Sequence, residues 1–347
     1  MKKIFLGVDI GSSTSHALLV DEEGRILAFS EAGPGNHEVV GYDGLYKVLS
    51  QMTSEALQTA GVGIEDIQGA GFGVSGYDWP SERSSTMEVI NRLGLSAPIE
   101  LVNDTLLGLF AGSEHGWGIV ILAGSGENCW GRDPHGNIGR MTGLGPMMGE
   151  YGGAFTIAAK AVQVVSAAWS RRGPATSLTQ LLIDEAGAHD IDDLIEGLCM
   201  DRYHIDGKLA PEIFQAAEGG DSVARQVVDW AADHLAGMVI GIVHQLGFQQ
   251  KTFEVVEMGG VFQAGKLLTD PFRAAVHEQA PGARFVPLVV PPVVGAVLLA
   301  AEQADVDLGR MRERLVAQSD QFWSSAASAF LSDGEGDGDA YEAPAFN

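Results

Sequence analysis

The chain carries the same local pattern twice: three short apolar segments joined by tight polar turns, and then alternating apolar and amphipathic segments. The six apolar segments lie at residues 4–10, 14–20, 25–31, 117–122, 127–132 and 137–140. Short apolar runs bounded by Gly, Ser, Asp and Pro are typical of β-strands in hairpins. The pattern therefore predicts a three-stranded meander at the start of each half of the chain.

Each predicted meander is followed by segments in which the apolar spacing becomes helical. In the first half, helical spacing over residues 42–60 and 83–93 alternates with strand-like runs at 67–74 and 99–102. In the second half, the helical segments are residues 151–170, 175–186, 190–199, 211–218 and 222–247. A meander continued by alternating helices and strands predicts an α/β layer. We therefore expect an α/β protein in which two similar domains face each other across a cleft.

The same pattern sets the expected domain boundaries. We predict an N-terminal domain at 1–115 and a C-terminal domain at 116–303 that carries a helical insertion at 151–250. A helical extension is expected at 304–331. The final segment, 332–347, is acidic, rich in Gly and poor in aliphatic residues, so we predict that it is a disordered tail.

Composition excludes several classes of partner. The chain has 46 acidic and 21 basic residues, a formal net charge of −25, which disfavours nucleic acid and anionic membranes. Cys129 and Cys199 are the only cysteines and lie far apart, so neither a disulfide framework nor a structural zinc site is expected. The apolar run before Asp9 is too short for a signal peptide, and no run reaches membrane-spanning length. These features predict a cytoplasmic protein with a small-molecule substrate.

The turns inside the two meanders share a chemistry suited to phosphate. The first turn offers the backbone amides and hydroxyls of Gly11, Ser12, Ser13 and Thr14 beside the carboxylate of Asp9. The second turn offers Gly124, Ser125 and Gly126. Each turn alone is typical of a plain hairpin. Together, at the floor of one cleft, they predict a phosphate site in which Asp9 holds a divalent cation such as Mg²⁺.

The pair Asn103-Asp104 stands where a predicted strand meets a predicted helix. One interpretation is an ordinary helix N-cap, which is a common role for Asn and Asp. The other is a general base at Asp104, placed at the carboxyl edge of a buried strand, which takes the proton of an attacking hydroxyl during phosphoryl transfer. The residues alone leave both interpretations open.

A GxGxxG pattern at residues 71–76 raises the question of a dinucleotide site. That fingerprint requires a strand, then the glycines, then a helix. Here the glycines fall inside the strand, and Tyr77-Asp78-Trp79-Pro80 follows them. We therefore interpret these glycines as positions of close backbone packing near the cleft.

Seven motifs in order now resemble one family. They are GVDIGSSTSHALLVDEEG from residue 7, GPGN at 33–36, GFGVSG, LVNDTLLGLFAG, GIVILAGSGENCWGRDPHGN, GLGPMMGEYGG and EMGGV at 257–261. This series is similar to the N-acetylglucosamine kinase branch of the BadF/BadG/BcrA/BcrD ATPase family, within the actin/Hsp70/sugar-kinase superfamily. The resemblance covers residues 3–303. It implies two ribonuclease H-like domains that close on MgATP.

The resemblance also implies roles for individual residues. Gly259 and Gly260 match the adenosine motif, and Gly295-Ala296 the second connecting segment between domains. The matched acceptor residues, expected to bind the sugar, are Asn36, Asp104, Asn128 and Cys129. Asp104 matches the catalytic base. The two turns match the two phosphate motifs.

Four positions depart from the family pattern, three of them in the stretch of residues 143–153 expected to form part of the sugar pocket. Leu144 stands where a Trp is usual, Glu150 replaces Asp, and Tyr151 replaces Glu; Glu127 occupies a place that is commonly Ser or Thr. We expect Leu144, Gly145 and Glu150 to line the pocket. Loss of a Trp removes a flat apolar face, and a longer carboxylate reaches different hydroxyls, so these changes bear on which sugar is bound.

Three functions follow from the resemblance. The first is an ATP- and Mg²⁺-dependent kinase of an amino sugar, with N-acetylglucosamine and its 6-phosphate as the expected substrate and product. The second is an ATPase that activates a partner reductase, in some relatives through a [4Fe–4S] cluster shared across a dimer by two cysteines per chain. The third is a non-catalytic sugar sensor. A homodimer is expected, with the helices of 151–250 as a candidate face.

Overall fold

Two five-stranded sheets form the framework of the described part of the chain, residues 3–318, in this computed structural model. The strands of the first sheet are β1 (Ile4–Ile10), β2 (Ser15–Asp21), β3 (Ile26–Ala32), β4 (Ile67–Val74) and β5 (Ile99–Asn103). Those of the second are β6 (Gly118–Ala123), β7 (Glu127–Arg132), β8 (Ile138–Arg140), β9 (Phe253–Met258) and β10 (Ala283–Pro287).

The two sheets have the same topology. Their strand orders are β3-β2-β1-β4-β5 and β10-β9-β6-β7-β8. In each, an antiparallel meander is extended by two parallel strands, β4 and β5 in the first sheet and β9 and β10 in the second. The prediction of two similar α/β domains is confirmed.

The helices fall close to their predicted positions. They are α1 (His37–Ala60), α2 (Arg83–Asn91), α3 (Asp104–Gly112), α4 (Ala154–Trp169), α5 (Leu178–Ala186), α6 (Ile191–Cys199), α7 (Ala210–Glu218), α8 (Ser222–Leu246), α9 (Lys266–Gln279) and α10 (Pro292–Ala301). Helix α1 begins at His37 rather than at 42, because the Asn36 side chain caps it by accepting from the amide of Glu38. The early turn is joined to the rest across a kink at Gly41.

The first sheet is covered on both faces. Helices α1 and α2 pack on one face, around the inward residues of β1 and β4. Helix α10 and the helical residues 308–318 cover the other face, where Met311 and Leu315 have no exposed surface. Helix α10 follows the second sheet in sequence yet packs on the first. The predicted boundaries at 115 and 303 stay predictions, and the predicted tail, 332–347, lies outside the described residues, as do the residues of the predicted extension beyond 318.

Helices α3 and α10 lie between the two sheets. Leu106 and Leu109 of α3 pack against Val120 and Val256 of the second sheet, and α10 packs on β1 and β4 of the first. The two helices touch at Gly295, where any side chain would overlap the carbonyl oxygen of Leu107. Both links between the domains therefore meet at one close helix crossing.

The glycines of the 71–76 pattern serve the same packing. Side chains at Gly69 and Gly71 would collide with the carbonyl oxygens of Ala300 and Ala296 in α10. At Gly73, a side chain would collide with that of Leu107 in α3. This arrangement agrees with our interpretation of the pattern as close backbone packing.

The helices of the second half build the largest hydrophobic core, on the outer face of the second sheet. Helix α8 is, among the described residues, the one helix long and apolar enough to cross a bilayer by length and composition. Of its most apolar window, 56% is buried inside the protein. That burial is typical of the central helix of a folded domain.

Candidate active site

The candidate base and cation ligand meet at the carboxyl edge of the first sheet. Asp9 is the second-last residue of β1, Ser75 follows β4, and Asp104 follows β5. The register pairs Ile10 with Val74 and Val74 with Asn103, so these three strand ends are level. Parallel strands thus bring together two carboxylates that are far apart in sequence.

A chain of hydrogen bonds links the first turn to Asp104. The amide of Asn36 donates to Ser12 Oγ over 3.4 Å, and the hydroxyls of Ser12 and Ser75 are 3.0 Å apart. The Ser75 hydroxyl bonds to the Asp104 carboxylate. Sequence reasoning did not assign Ser75; its place directly after a strand, beside a phosphate turn, is the signal that could have found it.

Asn103 and Asp104 make different contacts at the start of α3, so one can be the helix cap while the other is the candidate base. Asn103 is the cap: its Oδ1 accepts from the amide of Thr105 at 2.9 Å. Asp104 Oδ1 shares that amide, also at 2.9 Å. Burial raises the pKa of Asp104 to about 6, and the hydrogen bonds from Thr105 and Ser75 limit the rise. A carboxyl group with this pKa can accept a proton near neutral pH.

Asp9 sits in a similar environment. Its carboxylate is half-buried, and burial together with the charge of Asp104 raises its pKa well above the usual range. A divalent cation beside it would offset both effects. Within residues 3–318 there is no cluster of three or more His, Cys, Asp or Glu side chains suited to a metal. A single carboxylate beside a turn suited to phosphate fits Mg²⁺ held by that carboxylate and by phosphate oxygens, which is its common mode of binding.

The second turn opens at the carboxyl end of β6 and supports the start of α4. The carbonyl oxygens of Gly124 and Ser125 accept from the amides of Ala154 and Phe155 at 2.9 and 3.0 Å. Ser125 and Gly126 remain exposed, as do Ser12 and Ser13 of the first turn, while Gly11 and Thr14 are half-buried. The exposed surfaces of both turns are free to contact a ligand.

The side chain of Glu127 fixes the second turn in place. Its Oε2 accepts from the amide of Gly153 at 2.6 Å and from the hydroxyl of Thr156 at 3.3 Å. Burial raises the pKa of Glu127 to about 7, despite these bonds. Glu127, at a position that is commonly Ser or Thr in the family, therefore connects the second turn to the N-terminus of α4 by hydrogen bonds.

Gly259 brings the expected adenosine motif against the second turn. Its φ is +106°, and a side chain there would overlap the carbonyl of Ala123 and the amide of Gly124. Gly260, the next residue, has open space where a side chain would stand. The close approach of β9 and β6 at this edge requires glycine at 259.

The expected acceptor residues of the second domain do not all reach the cleft. Leu144 is 43% exposed, and Gly145 accepts from the amide of Glu150 at 3.1 Å. Glu150 is buried, and its carboxylate accepts from the amide and hydroxyl of Thr142 at 2.7–3.0 Å. Cys129 has no exposed surface and packs in the core, on the opposite side of β7 from its half-buried neighbour Asn128. The structure therefore does not bring the Cys129 thiol to the pocket surface.

The opposite lobes touch at the end of β8. Arg140, the last residue of β8, places its guanidinium carbon 4.1 Å from the ring centre of Trp79, which belongs to the first domain. The ring centre of Trp130 lies 5.8 Å from the same guanidinium carbon. Sequence reasoning assigned no role to Trp79 or Arg140, because contacts between lobes leave no local pattern.

Comparison with known proteins shows to which family the chain belongs. The profile of the BadF/BadG/BcrA/BcrD ATPase family matches residues 6–300. The chain belongs to this family. Among its relatives, a Clostridium acetobutylicum protein named N-acetylmuramic acid/N-acetylglucosamine kinase is 27% identical over 307 residues, which are 87% of this chain and all of the relative. The N-acetyl-D-glucosamine kinase of Dictyostelium discoideum is 27% identical over 86% of this chain and 98% of its own.

Solved structures share the fold of this BadF/BadG/BcrA/BcrD ATPase family member. A Chromobacterium violaceum protein assigned as an N-acetylglucosamine kinase superposes with a TM-score of 0.65 at 20% identity, over 86% of this chain and 99% of its own. A ROK family glucokinase from Streptomyces griseus, in complex with glucose and AMPPNP, superposes with a TM-score of 0.52 at 21% identity. The match covers 87% of this chain and 100% of the glucokinase. The fold is that of two-domain, actin-like sugar kinases.

Proposed function

We propose that this protein transfers the γ-phosphoryl group of ATP to a hydroxyl of an amino sugar, with N-acetylglucosamine as the leading acceptor and its 6-phosphate as the product. The class is that of ATP-dependent carbohydrate kinases. The choice of an amino sugar is supported by the two curated relatives, which carry N-acetylglucosamine in their names and align over nearly their whole length.

The observation that carries the proposal is the placement of Asp104. It sits at a strand edge with a pKa of about 6 and is joined through Ser75 and Ser12 to the first phosphate turn. A base must lie near both the acceptor hydroxyl and the transferred phosphoryl group. This network supports a role for Asp104 as the proton acceptor beside a turn suited to phosphate.

In the proposed reaction, Asp104 orients the acceptor hydroxyl and takes its proton as the oxygen attacks the γ-phosphorus. The new O–P bond forms as the bond to the β-phosphate bridging oxygen breaks, and ADP leaves with that electron pair. The amides of both turns would hold the phosphate oxygens in line. Mg²⁺, held by Asp9 and phosphate oxygens, would neutralise the charge that develops during transfer. Closure of the two lobes would exclude water that could otherwise hydrolyse ATP.

The first test is an assay of purified protein with MgATP and a panel of hexoses, aminohexoses and N-acetylated amino sugars, including N-acetylmuramic acid. We expect ADP release that depends on the sugar and is largest for an N-acetylated amino sugar, with the product phosphate located by NMR. ADP release only with a neutral hexose would move the substrate to the glucokinase class. The absence of any sugar-dependent release would contradict the kinase proposal.

The reductase-activator alternative receives no support from the thiols. A cluster shared by two chains requires both cysteines of each chain at a common surface. Cys199 is exposed, whereas Cys129 is fully buried in the core.

We also expect a homodimer, which sedimentation of the purified protein can test.

A further inference from the structure

Asp78 makes a contact that the proposed reaction does not use. Its Oδ1 accepts from the side-chain amide of Asn103 at 2.9 Å. The carbonyl oxygen of the same side chain, Asn103 Oδ1, accepts from the backbone amide of Thr105. Thr105 N also donates to Asp104. Asp78 therefore reaches the first turn of α3, which carries the base, through one intervening side chain.

The loop that carries Asp78 is itself held in place from behind. Glu82 Oε2 accepts from the backbone amides of Asp78 and Trp79 at 3.0 and 2.8 Å. Asn103 also donates to the carbonyl of Tyr77 at 3.3 Å. The position of this short loop is therefore fixed on both sides by side-chain hydrogen bonds to its backbone.

The same loop makes the contact with the other lobe. Trp79 is the residue after Asp78, and its ring lies under the guanidinium of Arg140 at 4.1 Å. Arg140 is a neighbouring positive charge that opposes the acidic groups around Asp78, which are Asp104, Glu38 and Glu82. The attraction between a guanidinium and the face of an indole ring holds the two groups together.

We propose that Asp78 is a positioning residue for Asp104, and that Arg140 holds it in place through Trp79 from the opposite lobe. The inference rests on the proposed function, since positioning matters only if Asp104 is the base. It gives a role to an acidic side chain that stands beside another carboxylate: its hydrogen bond fixes Asn103 and hence the turn that carries Asp104. A small misplacement of a catalytic group can lower turnover by about 10²-fold.

The first experiment compares Asp78→Asn with Asp78→Ala. The Asn variant can still accept from Asn103, because its side chain keeps a carbonyl oxygen. We expect Asp78→Ala to lower kcat at least about 10-fold with little change in the KM for ATP, and Asp78→Asn to retain most of kcat. Equal losses in both variants would show that the charge of Asp78 matters and would overturn the positioning role. Asp66→Ala is the matched control, since Asp66 accepts an amide hydrogen bond from Gly63 far from the cleft.

The second experiment is a double-mutant cycle on Trp79→Leu and Arg140→Gln. Positioning through this contact predicts that each change lowers kcat several-fold and that the double variant loses no more than either one. Additive losses would overturn the role of the contact. Arg92→Gln is the control, because Arg92 stacks on Tyr46 at 3.7 Å in the same way but within one lobe.

A readout independent of activity separates this inference from the proposed function. Amide hydrogen exchange over residues 103–107 should be faster in Asp78→Ala than in wild type, and close to wild type in Asp78→Asn. If wild type phosphorylates no sugar but exchange follows this order, the structural link stands and the kinase proposal fails. If wild type is an active kinase and exchange is the same in all three proteins, the positioning role fails.

Discussion

At the residue scale, the site depends on carboxyl groups whose surroundings disfavour their charge. The pKa values of Asp9 and Asp104 are both raised, chiefly by burial. Both lie at the sheet edge that carries the turn expected to bind phosphate, where a cation and an acceptor hydroxyl would meet them. The two carboxylates differ in their partners: Asp104 is hydrogen-bonded to Thr105 and Ser75, whereas burial and a like charge dominate at Asp9.

Substitution of the base is the direct test of its role. We expect Asp104→Asn to lower kcat by at least about 10²-fold, the lower range for loss of a general base. The affinity for MgATP, measured by calorimetry, should change little, because Asn keeps the size of the side chain. A variant with near-normal turnover would show that another group takes the proton.

The pH dependence of the reaction should report the same group. Asp104 must be ionised to accept a proton, and its pKa in the free protein is about 6. The acid limb of kcat/KM for the sugar should therefore fall as pH decreases, with its midpoint near 6 rather than near 4. In Asp104→Asn, any residual activity should lack this limb. A midpoint near 4 in wild type would contradict the assignment.

The sequence was most informative where chemistry and local structure coincide. The turns at Gly11–Thr14 and Gly124–Gly126 were predicted, because glycine and hydroxyl residues between two apolar runs have few alternative structures. Ser75, Asp78 and Trp79 were not assigned roles. Their importance comes from neighbours on other strands and on the other lobe, and a single sequence does not record such contacts. The family resemblance led us to expect Cys129 among the residues that bind the sugar. Its burial follows from the alternation of side chains between the two faces of β7.

At the element scale, helices α3 and α10 hold the two sheets together through a crossing without space for a side chain at Gly295. Strands β4 and β5 and the start of α3 were predicted from the sequence. The position of α10 on the first sheet was not, because sequence order alone places it with the second. Packing partners of a helix depend on the chain path, which periodicity does not specify.

The crossing predicts different outcomes for two glycines within helices. Gly295→Ala should lower the free energy of unfolding by about 1–3 kcal/mol or more, because its methyl group would overlap the backbone of α3. Gly237→Ala on α8 is the control: space there is open, so the change should stabilise the helix by about 1 kcal/mol. Chemical denaturation measures both. Equal effects would show that α3 and α10 separate at little cost.

At the scale of the whole molecule, the buried carboxylates make stability depend on pH. The pKa values of Asp78, Asp104 and Glu127 are about 7, 6 and 7 in the folded protein, against about 4 in an unfolded chain. Between these values the folded protein binds more protons than the unfolded one, so the free energy of unfolding falls as pH rises. The high negative net charge of the chain, −25, acts in the same direction.

Thermal unfolding should therefore show a higher Tm at pH 5 than at pH 8 at constant ionic strength, by about 2–4 °C for each kcal/mol involved. Glu127→Gln is the informative variant. Glutamine keeps an oxygen that can accept from Gly153 but cannot ionise, so the difference in Tm between the two pH values should shrink. A difference as large as that of wild type would show that Glu127 does not titrate in this range.

The late position of α10 in the chain has a consequence for synthesis on the ribosome. The five strands of the first sheet are complete at Asn103, but the helix that covers one of their faces begins at Pro292. At about 5–20 residues per second, translation of the intervening segment takes roughly 10–40 s. During that time the face that contains Phe5, Leu18 and Val20 lacks the cover that α10 provides. The nascent first lobe therefore exposes apolar surface of the kind that chaperones bind until α10 emerges.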